Sequence, residues 1–148
     1  MLNLLAAFLA LVAGAALAMQ VAINAGLSRA VGHALIAALV SVCVSAVCLV
    51  VVLLVLRVPL PSRSALGGLA PWSWSGGALG AIYLTLSIVA VPRLGAAVVV
   101  ALLVAGQMMT SVVLDHLGAF GLAEHGITPW RVVGAAALVI GVVLIRFF

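Results

Sequence analysis

Charge is the scarcest property of this 148-residue chain, since charged residues make up only 5% of it and lysine is absent. Two residues are acidic, Asp115 and Glu124, and all six basic residues are arginines. A soluble domain is about a quarter charged, so a composition that is 68% hydrophobic places the chain in a bilayer. The arginines stand singly at the edges of apolar runs, where they would anchor to lipid headgroups, and this excludes a nucleic-acid-binding patch.

Cysteines and paired acidic groups are too few to support a metal site or catalysis. Cys43 and Cys48 lie five residues apart in one apolar run, on different faces of a helix, and no further cysteine completes a metal-binding pattern. No nucleophile has a base at a workable spacing, and one aspartate with one glutamate makes a poor acid–base pair. We therefore expect neither an enzyme nor a metal or other cofactor.

The apolar runs have the length of membrane-spanning helices, which need about 20 residues to cross the hydrocarbon core. The breaks between them are rich in glycine, proline, serine and arginine, and Pro129 suits the first turn of the last helix. The first run lacks the basic start of a secretory signal, so we expect it to remain as a span. The sequence predicts an all-α membrane protein, a single transmembrane domain over residues 1–148. Its five predicted spans are 3–25, 33–56, 73–91, 94–114 and 129–147.

Four polar residues interrupt the fourth apolar run, in the segment "VAGQMMTSVVLDHLG". Gln107, Ser111 and Asp115 recur every four residues and Thr110 is close by, so a helix places them on one side. A polar group that faces lipid without a hydrogen-bond partner would cost a few kcal/mol. We therefore expect these residues to face protein or a hydrated cavity.

A similar pair, Gln20 and Asn24, lies near the end of the first run. Two interpretations of the polar residues stay open. One is hydrogen bonding between helices, at about 0.6 kcal/mol per pair on average, and the other is a hydrated solute site lined by two helices. Tyr83, well inside the third run, either satisfies its hydroxyl across a helix contact or lines a pathway.

Asp115 is the ionisable group closest to these polar residues, and it also has two interpretations. It is either a carboxylate at a helix end paired with an arginine, or a gate at a cavity mouth that responds to protons or cations. Glu124 and His125 lie farther into the following loop, where we expect solvent.

Four stretches together resemble the YdcZ-like branch of the drug/metabolite transporter superfamily, over nearly the whole chain. They are "MQVAINAGL" (19–27), "PWSWSGGALGAIY" (71–83), "PRLGAA" (92–97) and, as the most specific, "AGQMMTSVVLDHLGAFG" (105–121). The second span departs from the pattern, since "SVCVSAVCL" replaces the more usual segment containing phenylalanine and glycine.

The resemblance implies a five-helix inner-membrane protein classed as an exporter. Longer relatives in the superfamily have ten helices in two inverted repeats, so a five-helix chain would be a half-transporter that needs a partner. The related small multidrug resistance proteins carry a glutamate deep in the first helix, where Gln20 and Asn24 stand here. A multidrug-cation mechanism of that type is therefore not expected.

The arginines are balanced between the two sides of the predicted topology. One side collects Arg57, Arg63 and Arg131, and the other collects Arg29, Arg93 and Arg146. Orientation follows the bias of basic residues in short loops, so three against three gives no preferred direction. We expect the chain to insert both ways and to pair as an antiparallel (dual-topology) homodimer, an inverted-repeat bundle. The alternative is a heterodimer with an oppositely oriented paralogous chain.

The sequence thus predicts a dimeric transporter of a small solute in the bacterial inner membrane, working by alternating access, with Asp115 as the coupling group. The alternative is a non-transporting assembly or scaffold subunit, in which the polar residues only hold helices together. The predicted cavity residues are Gln20, Asn24, Tyr83, Gln107, Thr110 and Ser111.

Overall fold

All regular structure in the described part of the chain is helical. The computed structural model describes residues 2–148, leaving aside the side-chain surroundings of Leu2 and Ala65. Five of its helices are long and apolar enough to span a membrane, which confirms the predicted all-α class and number of spans. The α-helices are α1 Leu2–Val31, α2 Ala34–Val55, α3 Arg63–Gly67, α4 Ser75–Leu94, α5 Ala96–Leu117 and α6 Pro129–Phe147, with 3₁₀ turns at Pro71–Trp74 and Ala119–Gly121.

Helix α2 shows how the membrane overrides local preference. It is rich in valine, whose branched side chain favours strands in soluble proteins. In lipid, every backbone N–H and C=O must be bonded within the protein, and a helix achieves this inside one segment. An apolar run of this length therefore becomes a helix whatever its β propensity.

The sequence placed the end of the first helix too early. Helix α1 continues to Val31, beyond the predicted end at residue 25, and ends only where Gly32 adopts a φ of 79°. Glycine takes this left-handed conformation without a steric penalty. His33 then caps the next helix, because its Nδ1 accepts a hydrogen bond from the Leu35 N–H at 3.2 Å.

Helices α2, α4 and α5 differ from the predicted spans by one to three residues at each end, while α6 has the predicted bounds. Helix α5 runs past the predicted end at residue 114 to Leu117 and ends at Gly118, whose φ is 55°. Helix α6 covers Pro129–Phe147 with its proline in the first turn, as expected. Its cap is Thr128, whose hydroxyl accepts a hydrogen bond from the Arg131 N–H at 3.3 Å.

The chain forms two compact units, one ending at Pro92 and the other covering Arg93–Phe148. In the first unit α1 packs against α2, and Ala37 and Ala38 of α2 form a buried cluster with Leu84 and Ile88 of α4. In the second unit α5 packs against α6.

Candidate functional site

A groove of about 490 Å³ lies along the α1–α2 pair in the first unit. Gln20, Asn24, Ser41 and Ser45 supply its polar groups, and the rest of the wall is apolar. Asn24 is only 4% exposed, while Gln20 is half-buried. The two predicted cavity residues of the first span therefore lie in one groove. We refer to it below as the Gln20–Asn24 groove.

Asn24 also joins the two helices of this groove. Its Nδ2 donates a hydrogen bond to the Ser41 Oγ at 3.1 Å, and Ser45 Oγ donates to the Ser41 carbonyl oxygen at 2.9 Å within α2. An amide side chain has two donor hydrogens and a carbonyl oxygen that accepts two bonds, so this one bond leaves Asn24 further capacity. The site thus combines a helix contact with polar groups that a solute can use.

Tyr83 lies elsewhere in the first unit. Its ring is half-buried against the Ala37–Ala38–Leu84–Ile88 cluster, and it does not line the Gln20–Asn24 groove. Its hydroxyl oxygen is enclosed and has no hydrogen-bond partner among the described residues. A buried donor left unpaired costs about 1–3 kcal/mol, so the hydroxyl is a place where water, a solute or a partner would be stabilising.

Only part of the predicted polar face of α5 lines a groove. Ser111 and Asp115 line a groove of about 380 Å³ against α6, whereas Gln107 and Thr110 are exposed and do not line it. Between residues 2 and 148, Gln107 has no side-chain hydrogen bond. The four-residue spacing correctly placed Ser111 beside Asp115, but the α6 contact covers only part of that face.

Asp115 forms an ion pair across the end of the α5–α6 hairpin. Its Oδ2 lies 3.3 Å from Arg131 Nη1, and the two side chains are 34% and 32% exposed. The loop closes over the same point, because the His125 N–H donates to the Asp115 carbonyl oxygen at 2.8 Å and Arg131 Nη1 donates to the His125 carbonyl oxygen at 3.4 Å. This geometry corresponds to the pairing expected of a carboxylate at a helix end. The coupling role of Asp115 stays a prediction.

Sequence reasoning missed two residues of these sites, Ser41 and Arg131. Ser41 stands among valines and cysteines in α2, and only the partner helix shows that it meets Asn24. Arg131 follows the cap of α6, and its reach to Asp115 depends on how the loop folds. The histidine, cysteine, aspartate and glutamate residues that the structure describes form no group of three or more able to hold a metal ion.

Comparison with protein families gives a match over residues 5–144 to the family described as "Putative inner membrane exporter, YdcZ". Comparison with curated proteins and with solved structures finds no match.

Proposed function

The chain belongs to the YdcZ family of the drug/metabolite transporters and is a multi-pass protein of the inner membrane; from this premise we propose that it exports a small solute as a dimer. The dimer works by alternating access, in which the solute site opens to one side of the membrane at a time. In the first unit Gln20 and Asn24 are proposed to meet the solute, and in the second unit Ser111 is proposed to do so. Tyr83, Gln107 and Thr110 stay predicted cavity residues that line neither groove.

The observation that carries this proposal is the Gln20–Asn24 groove. It lies along two spanning helices, and its wall is apolar apart from the amides and hydroxyls of four side chains. Solute sites are generally apolar clefts with a few polar groups that fix the orientation of the ligand. All four polar groups are uncharged, so the groove favours a solute that binds through hydrogen bonds.

The surface that one chain leaves exposed supports the proposed dimer. In each span, at most 17% of the most apolar 18-residue stretch is buried within the chain. Gln107 presents an exposed amide from the middle of a spanning helix, and such a group facing lipid costs a few kcal/mol. A second, antiparallel copy would cover this surface and recreate the inverted repeat of ten-helix relatives.

Asp115 is proposed as the coupling group. It lines the groove that also contains Ser111, and only one described ion pair, with Arg131, holds it. Protonation of the carboxylate would weaken this pair, and the α5–α6 hairpin would then be free to open at that end.

One observation favours the alternative, a scaffold subunit. The Asn24–Ser41 hydrogen bond already uses a candidate cavity residue to hold two helices together. If all polar groups acted in this way, the protein would assemble without moving a solute.

Flux through purified protein in liposomes tests the proposal. Liposomes are loaded with a mixture of small neutral and charged solutes, and the solutes released are identified by mass spectrometry. Gln20→Leu should abolish release of the transported solute, because it removes an amide from the groove. Thr85→Val is the matched control, since Thr85 lies on a spanning helix, donates a hydrogen bond to the Ala81 carbonyl oxygen, and does not line the groove.

Transport is supported if release is lost in Gln20→Leu and kept in Thr85→Val, with both variants eluting as the same oligomer. Lack of release of every solute by the unmodified protein, with an intact oligomer, would favour the scaffold function instead.

A further inference from the structure

The groove at the end of the α5–α6 hairpin combines a pair of opposite charges with an apolar wall. Asp115 and Arg131 supply the charges, Met108 and Val112 the apolar wall, and Trp130 the rim. Its volume of about 380 Å³ lies within the range of about 300–1,000 Å³ typical of small-molecule sites. We refer to it as the Asp115–Arg131 groove.

This groove lies at the ends of two helices that are long and apolar enough to span a membrane, and such helix ends are where the hydrocarbon core gives way to lipid headgroups. Asp115 is in the last turn of α5 and Arg131 is in the first turn of α6, so both charges mark the ends of spanning helices. Trp130 is 82% exposed beside them, and tryptophan is enriched at this depth of membrane proteins. Met108 lies two helical turns before Asp115, which directs the apolar wall into the bilayer.

The ion pair leaves hydrogen-bonding capacity on both partners. Arg131 uses Nη1 for its described contacts with Asp115 and His125, so Nε and Nη2 remain available as donors. Asp115 binds Arg131 through Oδ2, which leaves Oδ1 as an acceptor. A lone anion would meet the repulsion of Asp115, and a lone cation that of Arg131. A ligand with one charge of each sign, held a few ångströms apart, satisfies both.

We propose that the Asp115–Arg131 groove binds the headgroup of phosphatidylethanolamine. The phosphate accepts hydrogen bonds from the free donors of Arg131, as guanidinium groups favour. The primary ammonium donates to Asp115, and the acyl chains lie along Met108 and Val112. Phosphatidylcholine has the same charges, but its ammonium has no N–H to donate. Phosphatidylglycerol has no cation. This lipid site does not depend on the proposed export function.

Quenching of Trp130 fluorescence by brominated lipids directly measures the preference of the groove for phosphatidylethanolamine over the other two lipids. Trp72→Phe/Trp74→Phe leaves Trp130 as the sole tryptophan of the three in the chain. This protein is placed in phosphatidylcholine nanodiscs that contain a small fraction of phosphatidylethanolamine, phosphatidylglycerol or phosphatidylcholine with brominated acyl chains. We expect phosphatidylethanolamine to associate about two- to fivefold more strongly than phosphatidylcholine, as for a part-exposed ion pair of about 0.4–1 kcal/mol.

Variants of the carboxylate separate recognition from general lipid contact. Asp115→Asn should lower the preference to the level of phosphatidylcholine, while Asp115→Glu, which keeps the charge, should retain it. Glu124→Gln is the matched control, because Glu124 is a loop carboxylate that does not line the groove. It should leave the preference unchanged.

Equal quenching by the three lipids in the protein that keeps only Trp130 would overturn the proposal, and this comparison needs no substitution in the groove. A preference that survives Asp115→Asn would overturn it as well. Soluble phosphoethanolamine at millimolar concentration should not displace the brominated lipid. Displacement would assign the groove to a water-soluble zwitterion and overturn the lipid assignment.

Discussion

The strength of the Asn24–Ser41 hydrogen bond can be measured as the coupling energy between these two residues of α1 and α2. Ser41→Ala removes the acceptor that lies 3.1 Å from Asn24 Nδ2, and it leaves a donor on a side chain that is only 4% exposed. A buried, unpaired donor in a dry core costs about 1–3 kcal/mol. Asn24 borders a groove of about 490 Å³, where water can replace the lost partner. We therefore expect a coupling nearer the range of membrane proteins, about 0.6–1.7 kcal/mol.

A double-mutant cycle with Asn24→Ala, Ser41→Ala and the double variant isolates this energy. The free energy of unfolding of each protein is measured in mixed micelles by titration with a denaturing detergent, followed by circular dichroism. In the matched control cycle, Ser45→Ala takes the place of Ser41→Ala. The Ser45 hydroxyl donates to the Ser41 carbonyl oxygen within α2 and does not bond Asn24. That control cycle should give a coupling near zero.

Couplings of equal size in the two cycles would refute the structural argument, because only one of the two serines contacts Asn24. A coupling for Asn24 and Ser41 well above the expected range would show instead that water does not reach the pair. The groove would then be dry and a poor place for a polar solute.

Three further predictions concern the second unit. Gln107→Leu should abolish solute flux and leave the oligomer intact on size-exclusion chromatography, and loss of the oligomer instead would assign Gln107 to helix packing. Asp115→Asn should remove the pH dependence of flux, and an unchanged pH profile would reject its coupling role. Gly118→Ala should lower the free energy of unfolding by about 1–2 kcal/mol, because a φ of 55° disfavours alanine and its Cβ would lie 2.6 Å from Glu124 Cγ. Gly126→Ala, where the added Cβ meets open space, is its control and should change that free energy by less.

The number of spans was predictable because the membrane leaves few options. An apolar run of about 20 residues must satisfy its own backbone, so run length and composition are enough to predict the helix. The ends were harder to predict. The segment from residue 26 to 31 contains serine and arginine and looks like a loop, yet α1 continues through it until Gly32 takes a positive φ. Helix ends here follow backbone conformation and not the start of polarity.

The candidate site was predictable only as far as one helix determines it. The spacing of Ser111 and Asp115 placed them together, and the spacing of Gln20 and Asn24 did the same. Which neighbour meets each group could not be derived, because a spanning helix is apolar on all sides and its hydrophobic pattern does not mark the packed face. The partners Ser41 and Arg131 therefore emerge only from the packed helix pairs.

The orientation of the chain in the membrane tests the antiparallel dimer most directly. Arg63 lies in α3 and Arg93 lies in the last turn of α4. The predicted topology puts the two arginines on opposite sides of the membrane. Both side chains are exposed. With three arginines on each side, removing one should tip the balance, since basic residues are retained in the cytoplasm.

Carboxyl-terminal fusions to a fluorescent protein that is active only in the cytoplasm, or to a phosphatase active only in the periplasm, report the two orientations. The unmodified chain should give both signals. Arg63→Ser leaves more arginines on the side of the carboxyl terminus, so fluorescence should rise and phosphatase activity should fall. Arg93→Ser should do the opposite, and the two variants serve as controls for each other. Signal from one side alone in the unmodified chain would reject dual topology and leave an oppositely oriented paralogous chain as the partner.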